Sequence, residues 1–243
     1  MIQIENIHKG VMEGNFLLLA RAISQIENNT NNEQVLSNDM QPKAIPVIGI
    51  TGPPGAGKST LISKLIGALV EEGKKVAVLS VDPSSVIHNG ALLGDRIRMR
   101  EWYLNSLVYI RSLANRGHLG GLNKPISEIV KLIQSVGFDY IILETVGVGQ
   151  SEVQVAQVAY PTILVLVPEA GDEIQMMKSG LFEVANIFVV NKADRPDAEQ
   201  FVNHLHNALS QRVGIKTNVV QTVANTGVGI SELLTVIKTY HES

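Results

Sequence analysis

Residues 45–60 read Ile45-Pro46-Val47-Ile48-Gly49-Ile50-Thr51-Gly52-Pro53-Pro54-Gly55-Ala56-Gly57-Lys58-Ser59-Thr60. A short apolar run, Ile45–Ile50, gives way to a glycine-rich loop that fits the pattern G-x-x-x-x-G-K-[ST], and a helix is expected from there to about Val70. Strand, loop and helix in that order form the context in which this pattern cradles phosphates. Glycines let the chain curl, so that successive N–H groups and a helix N-terminus all face one anion. Lys58 is expected to contact the outer phosphates and the Ser59 hydroxyl to ligate Mg2+. Gly52, Pro53, Pro54, Gly55, Ala56, Gly57 and Thr60 complete the cradle. The structural alternative is a Gly/Pro turn that merely opens a helix, and pattern and context together outweigh it.

Outward from this loop, further β-rich runs alternate with helical segments: Lys75–Val81, Leu107–Ile110, Tyr140–Glu144, Ile163–Val167, Ile187–Val190 and Asn218–Thr222. Runs that are apolar throughout, joined by helical crossovers, indicate a mainly parallel sheet covered on both faces. The expected fold is therefore α/β: a doubly wound P-loop NTPase over residues 45–243, with helices on both faces of its sheet. Ahead of it, Phe16, Leu19, Ala20, Ile23 and Ile26 recur at helical spacing, followed by the polar stretch Asn28–Gln41. Residues 1–44 thus read as a short N-terminal helical extension and a loose linker. In such folds the ligand lies beyond the carboxyl ends of the strands.

Composition narrows the function classes. Among 243 residues, 20 basic and 23 acidic side chains leave a formal charge of −3, too little for a broad positive field toward nucleic acid or an anionic membrane. Hydrophobic residues make up 45% and charged residues 18%, ordinary usage for a packed domain. Absence of cysteine excludes disulfides, thiolate metal sites and cysteine nucleophiles, and points to a cytoplasmic protein. The apolar run Phe16–Ala20 is too short for a signal-peptide core, and nothing is long enough to span a bilayer.

Three further positions at strand ends carry chemistry. After Ile187–Val190 comes Asn191-Lys192-Ala193-Asp194, an N-K-x-D sequence. Guanine presents N1–H and N2–H2 side by side, so one carboxylate can accept from both, whereas adenine has an acceptor at N1 and no amine at C2. Alone, the four residues could be a capping loop with Asp194 as N-cap. Downstream of the phosphate loop, guanine selection by Asp194 is the better reading. Glu144-Thr145-Val146-Gly147 closes the run Tyr140–Glu144; an acidic residue there can hold Mg2+ through water, and the Gly147 N–H can meet a γ-phosphate. Asp82, directly after Lys75–Val81, can orient the metal shell or the attacking water, with a turn at Asp82-Pro83-Ser84-Ser85 as its structural alternative.

The residue after Gly147 is Val148, and Gln150 lies further on, so the usual water-positioning glutamine is absent and intrinsic hydrolysis is expected to be slow. Arg96, Arg98, Arg100, Arg111 and Arg116 are candidate phosphate clamps, each competing with a solvated or core-rim role.

Four segments resemble the MeaB/ArgK family of SIMIBI-class G proteins: Val81-Asp82-Pro83-Ser84-Ser85, Gly94-Asp95-Arg96-Ile97-Arg98-Met99, Glu144 through Glu152, and Ala170-Gly171-Asp172-Glu173-Ile174-Gln175. The resemblance implies a GTPase that acts as chaperone to an adenosylcobalamin-dependent acyl-CoA mutase, typically methylmalonyl-CoA mutase, gating cofactor delivery and protecting the enzyme. It also implies that Lys58, Asp82, Asp95 and Glu144 form the phosphate and Mg2+ group with Ser59, and that Val167–Lys178 is a partner-responsive switch.

Three departures stand beside it. The chain stops at Ser243, before the helical arm through which family members form a homodimer; Glu169 replaces a common glycine; and Val223-Ala224-Asn225 replaces a Ser-Ala pair, with the Ala224 N–H still expected to reach the guanine oxygen. Two other readings compete. A metallocentre-assembly GTPase is disfavoured by the absence of cysteine and the dispersed histidines. An ATPase or kinase serving arginine and ornithine transport is disfavoured by Asn191-Lys192-Ala193-Asp194.

Overall fold

Each apolar run becomes a strand: β1 (Val47–Thr51), β2 (Val76–Asp82), β3 (Val108–Ala114), β4 (Tyr140–Thr145), β5 (Thr162–Leu166), β6 (Ile187–Asn191) and β7 (Asn218–Thr222). The computed structural model describes residues 3–28, 41–82, 99–114, 123–145, 155–168, 180–210 and 217–241, and among these the strands form one sheet in the order β3-β2-β4-β1-β5-β6-β7. Every ladder between neighbouring strands is parallel. The chain leaves β1 for one edge, returns to β4 beside it, and then builds β5, β6 and β7 outward on the other side. The connections after β1 and β4 therefore diverge, which opens a crevice at the carboxyl end of β1.

Alternation along each strand divides the side chains between two faces. Val47, Ala77, Leu79, Tyr109, Ile141 and Leu143 pack on one face under α1 (Ile4–Met12), α2 (Leu17–Glu27) and α4 (Asn123–Ser135). On the same face, under β5 and β6, Leu164, Leu166, Phe188 and Val190 pack against α5 (Leu181–Val184) and α6 (Ala198–Leu209). The opposite face carries Ile48, Ile50, Val78, Ile142, Ile163 and Val189 beneath α3 (Lys58–Glu71) and α7 (Ile230–Thr239). β1, β5 and β6 are buried along their whole length, the reason their sequences are apolar but for one buried polar residue at an end of each, Thr51, Thr162 and Asn191.

Two local differences from the sequence reading have physical causes. The N-terminal segment holds two helices instead of one, since α1 precedes the helix read from Phe16 to Ile26. Its Ile7 and Val11 are buried in the same core as Leu19, Ala22, Ile23 and Ile26. Gly10 lies within α1 because Asn15 approaches it: the Asn15 N–H donates to the Gly10 carbonyl at 2.6 Å, and a Cβ on residue 10 would lie 2.7 Å from the Asn15 carbonyl oxygen. β3 runs on past Ile110 to Ala114, although Arg111 interrupts its apolar pattern. Arg111 is accommodated at this sheet edge by Glu27 at 2.6 Å and the Ser24 hydroxyl at 2.8 Å, both on α2. Most of the polar linker, residues 29–40, lies outside the described residues.

Candidate guanine-nucleotide site

The loop between β1 and α3 is shaped by two glycines. Gly52 has φ 140° and passes so close to the Val165 carbonyl that a Cβ would collide with it; Gly57 has φ 88° and lies against the Asn191 side-chain amide. Both positions require a residue without a Cβ. Gly57 is also the N-cap of α3, with no side-chain cap, so the N–H groups of the first turn are left for an anion. Lys58, 8% exposed, curls back into the loop, where its Nζ donates to the Gly52 carbonyl at 2.7 Å and the Pro53 carbonyl at 3.1 Å. Its charge is thus held inside the cradle.

Ser59 and Glu144 meet beneath that loop. The Ser59 hydroxyl donates to Glu144 Oε1 at 2.8 Å, and the Ser80 hydroxyl of β2 donates to Oε2 at 3.2 Å. All three residues are buried, Glu144 to 1% exposure. One residue further, the Thr145 hydroxyl donates to that of Thr51 at 3.0 Å and ties the carboxyl ends of β4 and β1 together.

Asn191, at the end of β6, joins three separate segments. Its Nδ2 donates to the Ala56 carbonyl of the phosphate loop at 2.8 Å; its Oδ1 accepts from the Thr222 hydroxyl and from the Ala224 N–H, each at 3.1 Å. Lys192 then takes φ 58°, a left-handed conformation that costs a side-chain-bearing residue about 1 kcal/mol or more. Two bonds offset this, from the Ala193 N–H to the Thr222 carbonyl and from the Arg195 N–H to the Lys192 carbonyl.

A cleft of about 310 Å³ results. Gly55, Gly57 and Thr60 line its phosphate-loop side, and Asn191, Lys192, Asp194 and Arg195 its β6 side. Val223, Ala224 and Asn225 close it from the β7 side.

A family model described as Methylmalonyl Co-A mutase-associated GTPase MeaB matches residues 19–243. The chain belongs to this family. A Pyrococcus horikoshii protein named simply as a GTPase is 42% identical over 246 residues, covering 98% of this chain and 78% of its own length. A mouse protein, methylmalonic aciduria type A homolog, mitochondrial, is 35% identical over 254 residues, 95% of this chain and 61% of its own. Among solved structures, an LAO/AO transport system kinase superposes with a TM-score of 0.74 at 28% identity, covering 98% of this chain and 74% of its own. As a MeaB-family member the chain is a GTP hydrolase and binds guanine nucleotide.

The described structure brings Ser59 and Glu144 together, holds Lys58 inside the phosphate loop, and sets Asn191, Lys192 and Asp194 opposite Val223, Ala224 and Asn225 across one cleft. Ala224 differs in detail from the sequence expectation. Its N–H is bonded to Asn191 Oδ1, so a contact with a base oxygen must share or replace that bond. The side chain of Asp82 and the whole of Asp95, Gly147, Val148 and Gln150 lie outside the described residues, as do Glu169 through Lys178 of the expected switch, Arg96, Arg98 and Arg116.

Of the remaining arginines, Arg100 is exposed on the short 3-10 turn Arg100–Trp102, and Arg111 is bound to α2, the core-rim role. Sequence reasoning passed over Arg195, which lines the cleft, and Thr222 and Ser80, which support Asn191 and Glu144. Arg195 was signalled by its position directly after Asp194. The two hydroxyls were not, because only strand pairing brings them to their partners. No helix among the described residues is long and apolar enough to cross a membrane.

Proposed function

We propose that this chain uses GTP hydrolysis as a slow timer that gates cofactor loading, and protects the enzyme, for an adenosylcobalamin-dependent acyl-CoA mutase of the methylmalonyl-CoA mutase type. The observation that carries the partner is the match of residues 19–243 to a family described by its association with that mutase. The name of the mouse relative, methylmalonic aciduria type A homolog, supports the same reading.

In the hydrolytic step, a water oxygen bonds to the γ-phosphorus and the bond to the β,γ-bridging oxygen breaks. The electron pair stays on GDP, and both protons of the water leave with the phosphate as dihydrogen phosphate. Lys58 and the first-turn N–H groups of α3 neutralise the outer phosphates, and Asp194 accepts from the guanine N1–H and N2–H2. Ser59 and Glu144 converge as buried hard-oxygen donors, a set that fits Mg2+, and Asp82 and Asp95 would join them. When bound, the ion supplies neutralisation of charge on the outer phosphates. Val148, directly after Gly147, has no side-chain amide to orient the water as a glutamine there would, so the unaided rate is slow.

A timer of this kind binds its partner differently in its two nucleotide states. The affinity of the chain for an adenosylcobalamin-dependent acyl-CoA mutase, measured with GDP and with a non-hydrolysable GTP analogue, is expected to differ by about fivefold or more. Equal affinities, or no complex in either state, would contradict the proposal.

A further inference from the structure

We infer that Ser80 is a positioning residue for the metal group: from the sheet it fixes Glu144, the carboxylate that Ser59 shares. The inference rests on the reading of Ser59 and Glu144 as the Mg2+ group. Ser80 sits opposite Glu144 in the parallel ladder between β2 and β4, and Glu144 in turn sits opposite Ile50 of β1, so the backbone sets both side chains to within one strand spacing. Ser80 is 3% exposed and donates to Oε2 at 3.2 Å, while Ser59 donates to Oε1 at 2.8 Å.

The two hydroxyls differ in what holds them. Ser59 belongs to the first turn of the phosphate-loop helix and is itself read as a ligand, so its bond to Glu144 competes with its bond to the metal. Ser80 lies inside a strand paired on both sides, by β3 and β4, so the backbone holds its hydroxyl in place. Partners of this kind hold a ligating carboxylate at the angle the ion needs, and their loss typically weakens metal binding by 10- to 100-fold.

The test measures the affinity of N-methylanthraniloyl-GDP as Mg2+ is raised from none, in EDTA, to saturation, for wild type, Ser80→Ala, Ser80→Thr and Glu144→Gln. Ser80→Ala is expected to need about tenfold more Mg2+ for half its effect. Its affinity in EDTA and its melting temperature should stay near wild type, and Ser80→Thr, which keeps the hydroxyl, should restore the wild-type Mg2+ requirement. If Ser80→Thr fails to fold, comparison of Ser80→Ala with Glu144→Gln still decides. An unchanged Mg2+ requirement in Ser80→Ala beside a raised one in Glu144→Gln overturns the role of Ser80 alone. An equal loss of affinity in EDTA and in Mg2+ also overturns it, as the mark of a merely structural hydroxyl. No change in Glu144→Gln overturns the underlying metal reading, and the inference with it.

Discussion

Asp194 shows how much a single side chain can decide. It lines the cleft from within the turn Lys192–Arg195, which the Arg195 N–H closes on the Lys192 carbonyl and the Ala193 N–H ties to the Thr222 carbonyl of the neighbouring strand. A charge-assisted hydrogen bond contributes about 1.5–3 kcal/mol, so Asp194→Asn should weaken GTP binding by at least about tenfold. Xanthosine triphosphate, whose C2 oxygen can accept from the new amide, should gain over GTP. Competition binding with the two nucleotides checks this, and an unchanged preference for GTP would remove Asp194 from base reading. Asp194 and Lys58 were legible because each sits in a short contiguous pattern. The tying role of Asn191 was not, because its partners Ala56 and Thr222 lie 135 and 31 residues away along the chain. Likewise, no local pattern could reveal that Lys58 rests on the carbonyls of Gly52 and Pro53.

The strands were readable as elements because burial on both faces leaves almost no room for polar residues, and β1, β5 and β6 are the clearest cases. α1 was harder. It has nine residues, a glycine in its last turn and only Ile7 and Val11 as fully buried apolar side chains, too few to establish a helical period. β3 was read short for the opposite reason: Arg111 looks like a strand end until its partners on α2 are known. α2 is thus bound to the sheet by an apolar face and by this ion pair. Ile23, with no exposed surface, lies at the centre of that face. Ile23→Ala should cost about 2–5 kcal/mol by removing buried methyl groups and leaving a cavity. Thermal melting would read the loss, while GTP affinity of the folded protein should stay near wild type, since among the described residues α2 packs against α1, α4 and β3. A matching loss of nucleotide affinity would mean that α2 is coupled to the site.

Across the whole molecule, the phosphate loop, Glu144, Asn191 and the Val223–Asn225 loop all lie at the carboxyl ends of β1, β4, β6 and β7. Diverging connections create the crevice there, and the parallel sheet supplies the frame that keeps the base-reading side at a constant distance from the phosphate side. The fold and these two sides of the cleft could be read from the chain because each motif directly adjoins an apolar run that becomes a strand. The expectation that Val167–Lys178 responds to a partner rests only on family resemblance, since a response to another protein has no local chemical signature. If hydrolysis in this cleft is the proposed partner-gated clock, phosphate release under single-turnover conditions will show it. With an adenosylcobalamin-dependent acyl-CoA mutase from the same cell, the rate should rise by at least about tenfold over the slow unaided rate. An unaided rate already as fast, or one that the mutase leaves unchanged, would contradict the account.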